Sequence, residues 1–199
     1  MRKAVRGILF VLFAVAATAA GAVELTHRWS FNAADDYTDS VGGVVQTGIC
    51  GLPAGLGEPW FDSMEGVLAR AMFAVGGVKG IEFGDGFGLA GLRGSQANDP
   101  FRMRDGRVVT ESNRNGGING GITNGMPVVF NLAVKPTPSI ARPQRTVDYK
   151  EGKDVELALT GRHDPAIIRR ICPVVTALVS VVLCDQLALR FGTDYLAAK

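Results

Sequence analysis

Asn115-Gly116-Gly117-Ile118-Asn119-Gly120-Gly121-Ile122-Thr123-Asn124-Gly125 runs directly into Met126-Pro127-Val128-Val129-Phe130-Asn131-Leu132-Ala133-Val134. The second part alternates, with Val128, Phe130, Leu132 and Val134 sharing one side. That period of two marks a strand with one buried face. The first part pairs its glycines, which lets backbone N–H groups approach a ligand or another chain segment closely. As a phosphate signal the glycines are weak, because the Lys-Ser/Thr of a P-loop is absent.

Downstream, Lys135-Pro136-Thr137-Pro138-Ser139-Ile140 is stiffened by two prolines into an extended form. Its lysine and hydroxyls suit phosphate or the polar groups of a cofactor; a rigid connection at the sheet edge is the alternative. Arg142-Pro143-Gln144-Arg145 leads to a turn at 149–153 and a short strand at 155–159. Gly161-Arg162-His163-Asp164-Pro165 follows. Asp before Pro predicts a helix start, with Asp164 as N-cap and Pro165 at the first helical position. A base role for Asp164 is compatible with capping. The helix carries Ile167, Ile168, Ile171, Val174, Val175, Leu178, Val179, Val182, Leu183 and Leu187. Apolar around much of its circumference, it is expected to be buried, with a kink at Pro173. Arg169, Arg170 and Asp185 are read as bracketing too short a run for a membrane span.

Upstream, the Gly/Pro loop 53–59 precedes a helix. Trp60, Phe61, Met64, Val67, Leu68, Ala71 and Met72 recur at helical spacing and predict one apolar face. Gly76 and Gly77 end that helix. Val78 to Phe83 reads as a strand, and 84–100 as loop.

The chain has 199 residues, 26 glycines and a net charge of +2. So small a charge implies no general attraction to nucleic acid or membrane. Arginines cluster locally (Arg102, Arg104, Arg107; Arg162, Arg169, Arg170), which fits either an anionic ligand or a solvated face. Cys50, Cys172 and Cys184 have neither zinc nor disulfide spacing, and no metal site is expected. At the start, Arg2, Lys3 and Arg6 precede an apolar run from Ile8 to Ala20 and small residues before Val23, a signal-peptide layout. Glu24 to Phe31 reads as an edge strand, with His27 a strand residue.

Two resemblances follow from these stretches. Val23 to Gly43 resembles the opening strand of laminin-G-like domains of secreted proteins. The remainder, about 155 to 160 residues, resembles the C-terminal half of the chorismate synthase family. It does so through Asp39-Ser40-Val41-Gly42-Gly43, Gly51-Leu52-Pro53-Ala54-Gly55-Leu56-Gly57-Glu58-Pro59, Val78-Lys79-Gly80-Ile81-Glu82-Phe83-Gly84-Asp85-Gly86-Phe87 and Leu92-Arg93-Gly94-Ser95. Gly116 to Ile122, Lys135 to Ile140, Arg142 to Thr146 and Gly161 to Pro165 continue it in the family's order. The organisation read from this is a leader at 1–22, a laminin-G-like fragment at 23–38 and the synthase half at 39–199. The Asp39 to Gly43 overlap reads as the junction of a fusion.

The resemblance implies an α+β fold, half of a β-α-β sandwich with antiparallel sheets packed on buried helices. It implies a carbon–oxygen lyase that eliminates phosphate from 5-enolpyruvylshikimate 3-phosphate to give chorismate, with reduced FMN as cofactor. Gly76, Gly77, Gly120, Lys135, Pro136, Thr137, Pro138, Ser139 and Arg162 match flavin-contacting positions. Asp164 matches the aspartate that accepts a proton near flavin N5. The family assembles as a homotetramer in the cytoplasm, against which the leader points to export. Thr176 stands where the family has a glutamate, and the family's N-terminal half, with its Gly-Xaa-Ser-His-Gly opening, is missing. The expectation is therefore a fragment inactive alone. The competing expectations are a secreted surface or carbohydrate binder with a passenger tail, and a noncatalytic subunit or flavin binder.

Overall fold

The computed structural model describes residues 9–18, 21–31 and 39–193, the first two stretches by their backbone. Arg2, Lys3 and Arg6 of the leader and residues 32–38 of the laminin-G-like segment lie outside the described residues. In chain order the elements are β1 (Leu9–Thr18), β2 (Gly21–Phe31), β3 (Gly43–Cys50), α1 (Met64–Phe73), β4 (Val78–Phe83), α2 (Gly94–Ala97), β5 (Phe101–Arg104), β6 (Arg107–Thr110), β7 (Ile118–Asn119), β8 (Ile122–Thr123), β9 (Val128–Val134), β10 (Gln144–Asp148), β11 (Lys153–Leu157) and α3 (Ile168–Phe191).

A five-stranded sheet has the order β1-β2-β3-β9-β4, with every neighbouring pair antiparallel. β2 is therefore an interior strand, not the expected edge strand; β1 pairs along its outer side. The alternation read from β9 holds: Val128, Phe130, Leu132 and Val134 are buried. With Val45 and Ile49 of β3 they form a floor on which Met64, Leu68 and Met72 of α1 and Ile168, Val175, Val179 and Leu183 of α3 pack. Burying a side chain such as Phe130 contributes about 1.5–3 kcal/mol. On the opposite face a polar ladder crosses three strands. Gln46 Nε2 donates to Asn131 Oδ1 at 3.1 Å, and Asn131 Nδ2 donates to Glu82 Oε1 at 3.1 Å. One face is apolar and the other partly polar, as an antiparallel sheet allows. The fold is α+β.

The helix after the Gly/Pro loop starts later than its apolar spacing implied. Ser63 caps α1, its Oγ accepting from Gly66 N at 3.0 Å, and a side-chain cap fixes where a helix begins. Trp60 and Phe61 thus fall in the preceding turn and are 89% and 92% exposed, not core. The other end also departs from expectation: α1 stops at Phe73 with Ala74 as its C-cap, and Gly77 (φ +96°) lies in the turn that leads into β4. The late strand spans Lys153–Leu157, two residues before its expected position, because it pairs with Gln144–Asp148 across the 149–152 turn.

α3 also departs from expectation. Its 24 residues are long and apolar enough to cross a membrane by length and composition, so the run is not too short. One face is buried in the core, through Ile168, Ile171, Val175, Val179, Leu183 and Leu187. The other is open: Val174 is 45% and Val181 66% exposed.

Candidate functional site

Three segments meet where β9 ends and α3 begins. The extended run after β9 is bound on one side to the turn before β3. Ser40 Oγ donates to Thr137 O at 2.7 Å. On its other side, Thr137 Oγ1 donates to Asp164 O at 3.0 Å. Val41 N donates to Pro165 O at 2.8 Å, which closes the triangle. Ser139 Oγ and His163 Nδ1 share a hydrogen bond of 2.7 Å. His163 Nε2 is buried without a partner. Gly77 belongs to the same end of the sheet, its carbonyl accepting from Lys135 N at 2.8 Å. A Cβ on Gly77 would press on Ile167 Cδ1 at 3.0 Å, so the glycine permits close packing there.

Asp164 is not the helix cap. α3 starts at Ile168 with Ile167 in the cap position and no side-chain cap. The reason is local: the carbonyls of Asp164 and Pro165 are held by Thr137 and Val41, so the chain stays non-helical until they are passed. The Asp164 carboxylate instead meets Arg170, Nη1 to Oδ2 at 2.7 Å. Lys135 and Arg162 are exposed and make no ion pair among the described residues. The cluster thus sets two uncommitted cations and one oriented carboxylate around the start of α3, an arrangement suited to an anionic ligand.

The matched positions do not all lie here. Lys135 to Ser139, Arg162, Asp164 and Gly77 come together, with exposed Gly76 beside them. Gly120 does not. It sits in the β7–β8 turn with φ +59°, next to Gly121, whose carbonyl accepts from Met64 N at 2.8 Å. That is the opposite end of α1, a helix of 10 residues, hence about 15 Å from the Gly77 end.

Asp99 was not singled out by the sequence reading, yet it organises the glycine-rich region. Only 5% exposed, its Oδ1 accepts from Ser112 Oγ at 2.7 Å and Arg114 N at 2.9 Å. Its Oδ2 accepts from Asn115 N at 2.9 Å and Asn115 Nδ2 at 2.8 Å. Burial pushes the carboxyl pKa up, but these hydrogen bonds outweigh it and hold the group below its ordinary value. Beside this knot, backbone touches backbone. A Cβ on Gly84 would overlap the Arg114 carbonyl oxygen, and one on Gly116 would overlap Gly84 N. At Gly116 and Gly117 the close approach is to backbone of the same chain: a Cβ on Gly117 would overlap the Pro127 carbonyl. Nothing in the single acidic residue of a Ser/Asn loop announces partners 13 to 16 residues away.

A family model described as chorismate synthase matches residues 16–188. The chorismate synthase of Methanocella arvoryzae is 51% identical over 156 residues, covering 78% of this chain and 42% of the relative. That of Thermococcus gammatolerans is 55% identical over 152 residues, covering 76% and 43%. That of Opitutus terrae is 49% identical over 171 residues, covering 86% and 46%. A crystal structure of chorismate synthase superposes with a TM-score of 0.63 at 31% identity, over 78% of this chain and 40% of that one. The fold is α+β, like the matched portion of that crystal structure. The chain belongs to the chorismate synthase family, and it spans about two-fifths of the length of the curated relatives it matches.

Proposed function

We propose that this chain supplies the flavin-side half of a chorismate synthase site, for the elimination of phosphate from 5-enolpyruvylshikimate 3-phosphate to give chorismate. The observation that carries the reading is the convergence of Lys135 to Ser139 with Arg162 to Asp164 on one end of the sheet. It occurs in a chain 51% identical to a chorismate synthase over 156 residues. The residues fit an FMN in charge and in free hydrogen-bonding capacity. Lys135 and Arg162 are unpaired cations among the described residues, and His163 Nε2 is a buried ring nitrogen without a partner. Lys135, Arg162 and the backbone at Gly76 and Gly77 would hold the cofactor. When bound, reduced FMN supplies the electron-rich partner for a 1,4-elimination without net redox change.

The chain's own part is positioning and proton handling. Arg170 fixes Asp164 Oδ2, which orients the carboxylate and leaves Oδ1 to accept a proton in the reaction. Thr137 holds the Asp164 backbone and so couples the cofactor loop to the base. The rest of the site comes from the half of the family fold that the chain does not span, and the complete enzyme works as a homotetramer. This chain alone is inactive.

The test is anaerobic. Reduced FMN and the enolpyruvyl substrate are supplied to the chain with and without the N-terminal portion of a relative. Chorismate forms only in the mixture; chorismate from this chain alone overturns the inactivity, and none from the mixture overturns the reading. Reduced flavin places the proposed activity in the cytoplasm. The leader-like residues 1–22 favour export and a secreted laminin-G-like role instead. N-terminal sequencing of cell-associated and secreted protein separates the two.

A further inference from the structure

We propose that His163 is a positioning residue that fixes the polarity of the Ser139 hydroxyl. Its Nδ1 carries the ring proton and donates to Ser139 Oγ, so that the Ser139 O–H is turned outward as a donor to an acceptor oxygen of the flavin. This rests on the flavin-side reading above. Ser139 Oγ and His163 Nδ1 lie 2.7 Å apart, and His163 Nε2 is buried without a partner. The segments around them are already joined by Thr137 Oγ1 to Asp164 O, Ser40 Oγ to Thr137 O and Val41 N to Pro165 O. The Ser139–His163 bond is therefore not needed to hold them together. Ser139 is exposed, and a hydrogen bond open to water contributes less stability than a buried unpaired nitrogen costs. A polar group kept in that state points to a role in the site.

The buried nitrogen selects the tautomer. In a neutral imidazole one ring nitrogen carries the proton and the other is an acceptor. A proton on Nε2 would leave a buried N–H with no acceptor, and orphaned N–H donors are rarer in folded proteins than under-used acceptors. An imidazolium would carry the same buried N–H and a charge besides. The proton therefore sits on Nδ1, the nitrogen that has a hydrogen-bond partner. With Nδ1–H donating, Ser139 Oγ is the acceptor and its own hydrogen is free to face the open side. Lys135 and Arg162 are exposed as well, so the rim made by 135–139 and 162 presents donors and positive charge. Such a rim takes a phosphate or carbonyl oxygen and discriminates against groups that can only donate. In the opposite tautomer Ser139 would donate its hydrogen to Nδ1 and offer the ligand only lone pairs, which an anionic oxygen avoids.

The experiment uses the full chain. Long-range proton–nitrogen correlation NMR at about pH 8.5, where an ordinary imidazole is neutral, shows which ring nitrogen carries the proton. The signal is assigned by its loss in His163→Asn, since His27 is the only other histidine. A proton on Nδ1 is expected, and a proton on Nε2 overturns the proposal. Titration with FMN, followed by flavin fluorescence, gives the second readout. His163→Phe and Ser139→Ala each weaken binding roughly tenfold, and the double variant is no weaker than either alone, because His163 acts through Ser139. His163→Asn, whose amide N–H stands near the place of Nδ1, recovers binding; His163→Gln, whose amide reaches the place of Nε2, does not. Losses that add in the double variant, or equal recovery by Asn and Gln, overturn the proposal, because a side chain that only fills space behaves in that way. Riboflavin in place of FMN locates the acceptor: a loss with FMN alone assigns it to the phosphate, and a loss with both assigns it to the ring. The tautomer is read without ligand, so its failure is distinct from that of the flavin-side reading, which falls when the complemented enzyme forms no chorismate.

Discussion

Replacing Asp99 by Asn removes one negative charge and little volume from a site that is 5% exposed. The asparagine keeps one oxygen, which can serve either Ser112 and Arg114 N or Asn115, but not both pairs. Its NH2 group then faces two donors. Two hydrogen bonds to a charged acceptor are lost, at about 1.5 kcal/mol each, or about 3 kcal/mol together. Urea unfolding followed by circular dichroism measures this. With a slope of roughly 2 kcal/mol per M, the midpoint drops by about 1.5 M while the slope is unchanged. The pH dependence adds a sign. The folded carboxyl lies below its ordinary value, so its contribution is present above the unfolded pKa of about 3.9 and is lost as pH falls through the folded one. The wild type therefore loses its advantage over Asp99→Asn below about pH 4. Two profiles that run parallel down to pH 2, or a midpoint shift under roughly 0.3 M, would refute the account of the knot.

Further outcomes are expected. Gly84→Ala, which drives a Cβ into the Arg114 carbonyl at φ +58°, destabilises by about 3 kcal/mol or prevents folding. Gly88→Ala, with open space around it, stays within about 0.5 kcal/mol by the same measurement. Asp164→Asn breaks a half-exposed ion pair and costs under about 1 kcal/mol, but lowers turnover of the complemented enzyme by roughly 100-fold or more; equal turnover would remove Asp164 as the proposed base. In thiol labelling at pH 8, followed by mass spectrometry, exposed Cys184 reacts first. Cys172, buried and with its pKa pushed up to about 11, reacts slowly until the chain unfolds.

What could be read from the sequence divides along physical lines. The strand at β9 was legible because burial on one face imposes a period of two, and the sheet order around it left that face undisturbed. The helix of α1 was legible in kind but not in its start. Trp60 and Phe61 continue the apolar spacing, and only the Ser63 cap decides that they stand outside. Asp164 was misread as a cap because Asp-Pro is a local signal, whereas its carbonyl is taken by Thr137, 27 residues earlier. Lys135 to Ser139 and Arg162 carried a family wording, and the fold brought them together. Gly120 carried it too, and the fold placed it at the far end of α1. Asp99 carried none: its role rests on donors supplied by another loop, which no window along the chain contains.

The closure at Gly84 and Gly116 governs how the chain would come apart. Residues 84–127 form a long excursion, but its base is cinched: Gly84 N donates to Val129 O at 2.9 Å and Asp85 N to Arg114 O at 2.8 Å. Asp85 and Arg114 also meet through their side chains at 2.6 Å. The exposed Asp105-Gly106 turn lies at the tip, outside that cinch. A protease cutting there would sever the covalent chain without opening the purse. The two pieces would elute as one particle and separate only in denaturant, so an intact elution profile is no proof of an intact polypeptide.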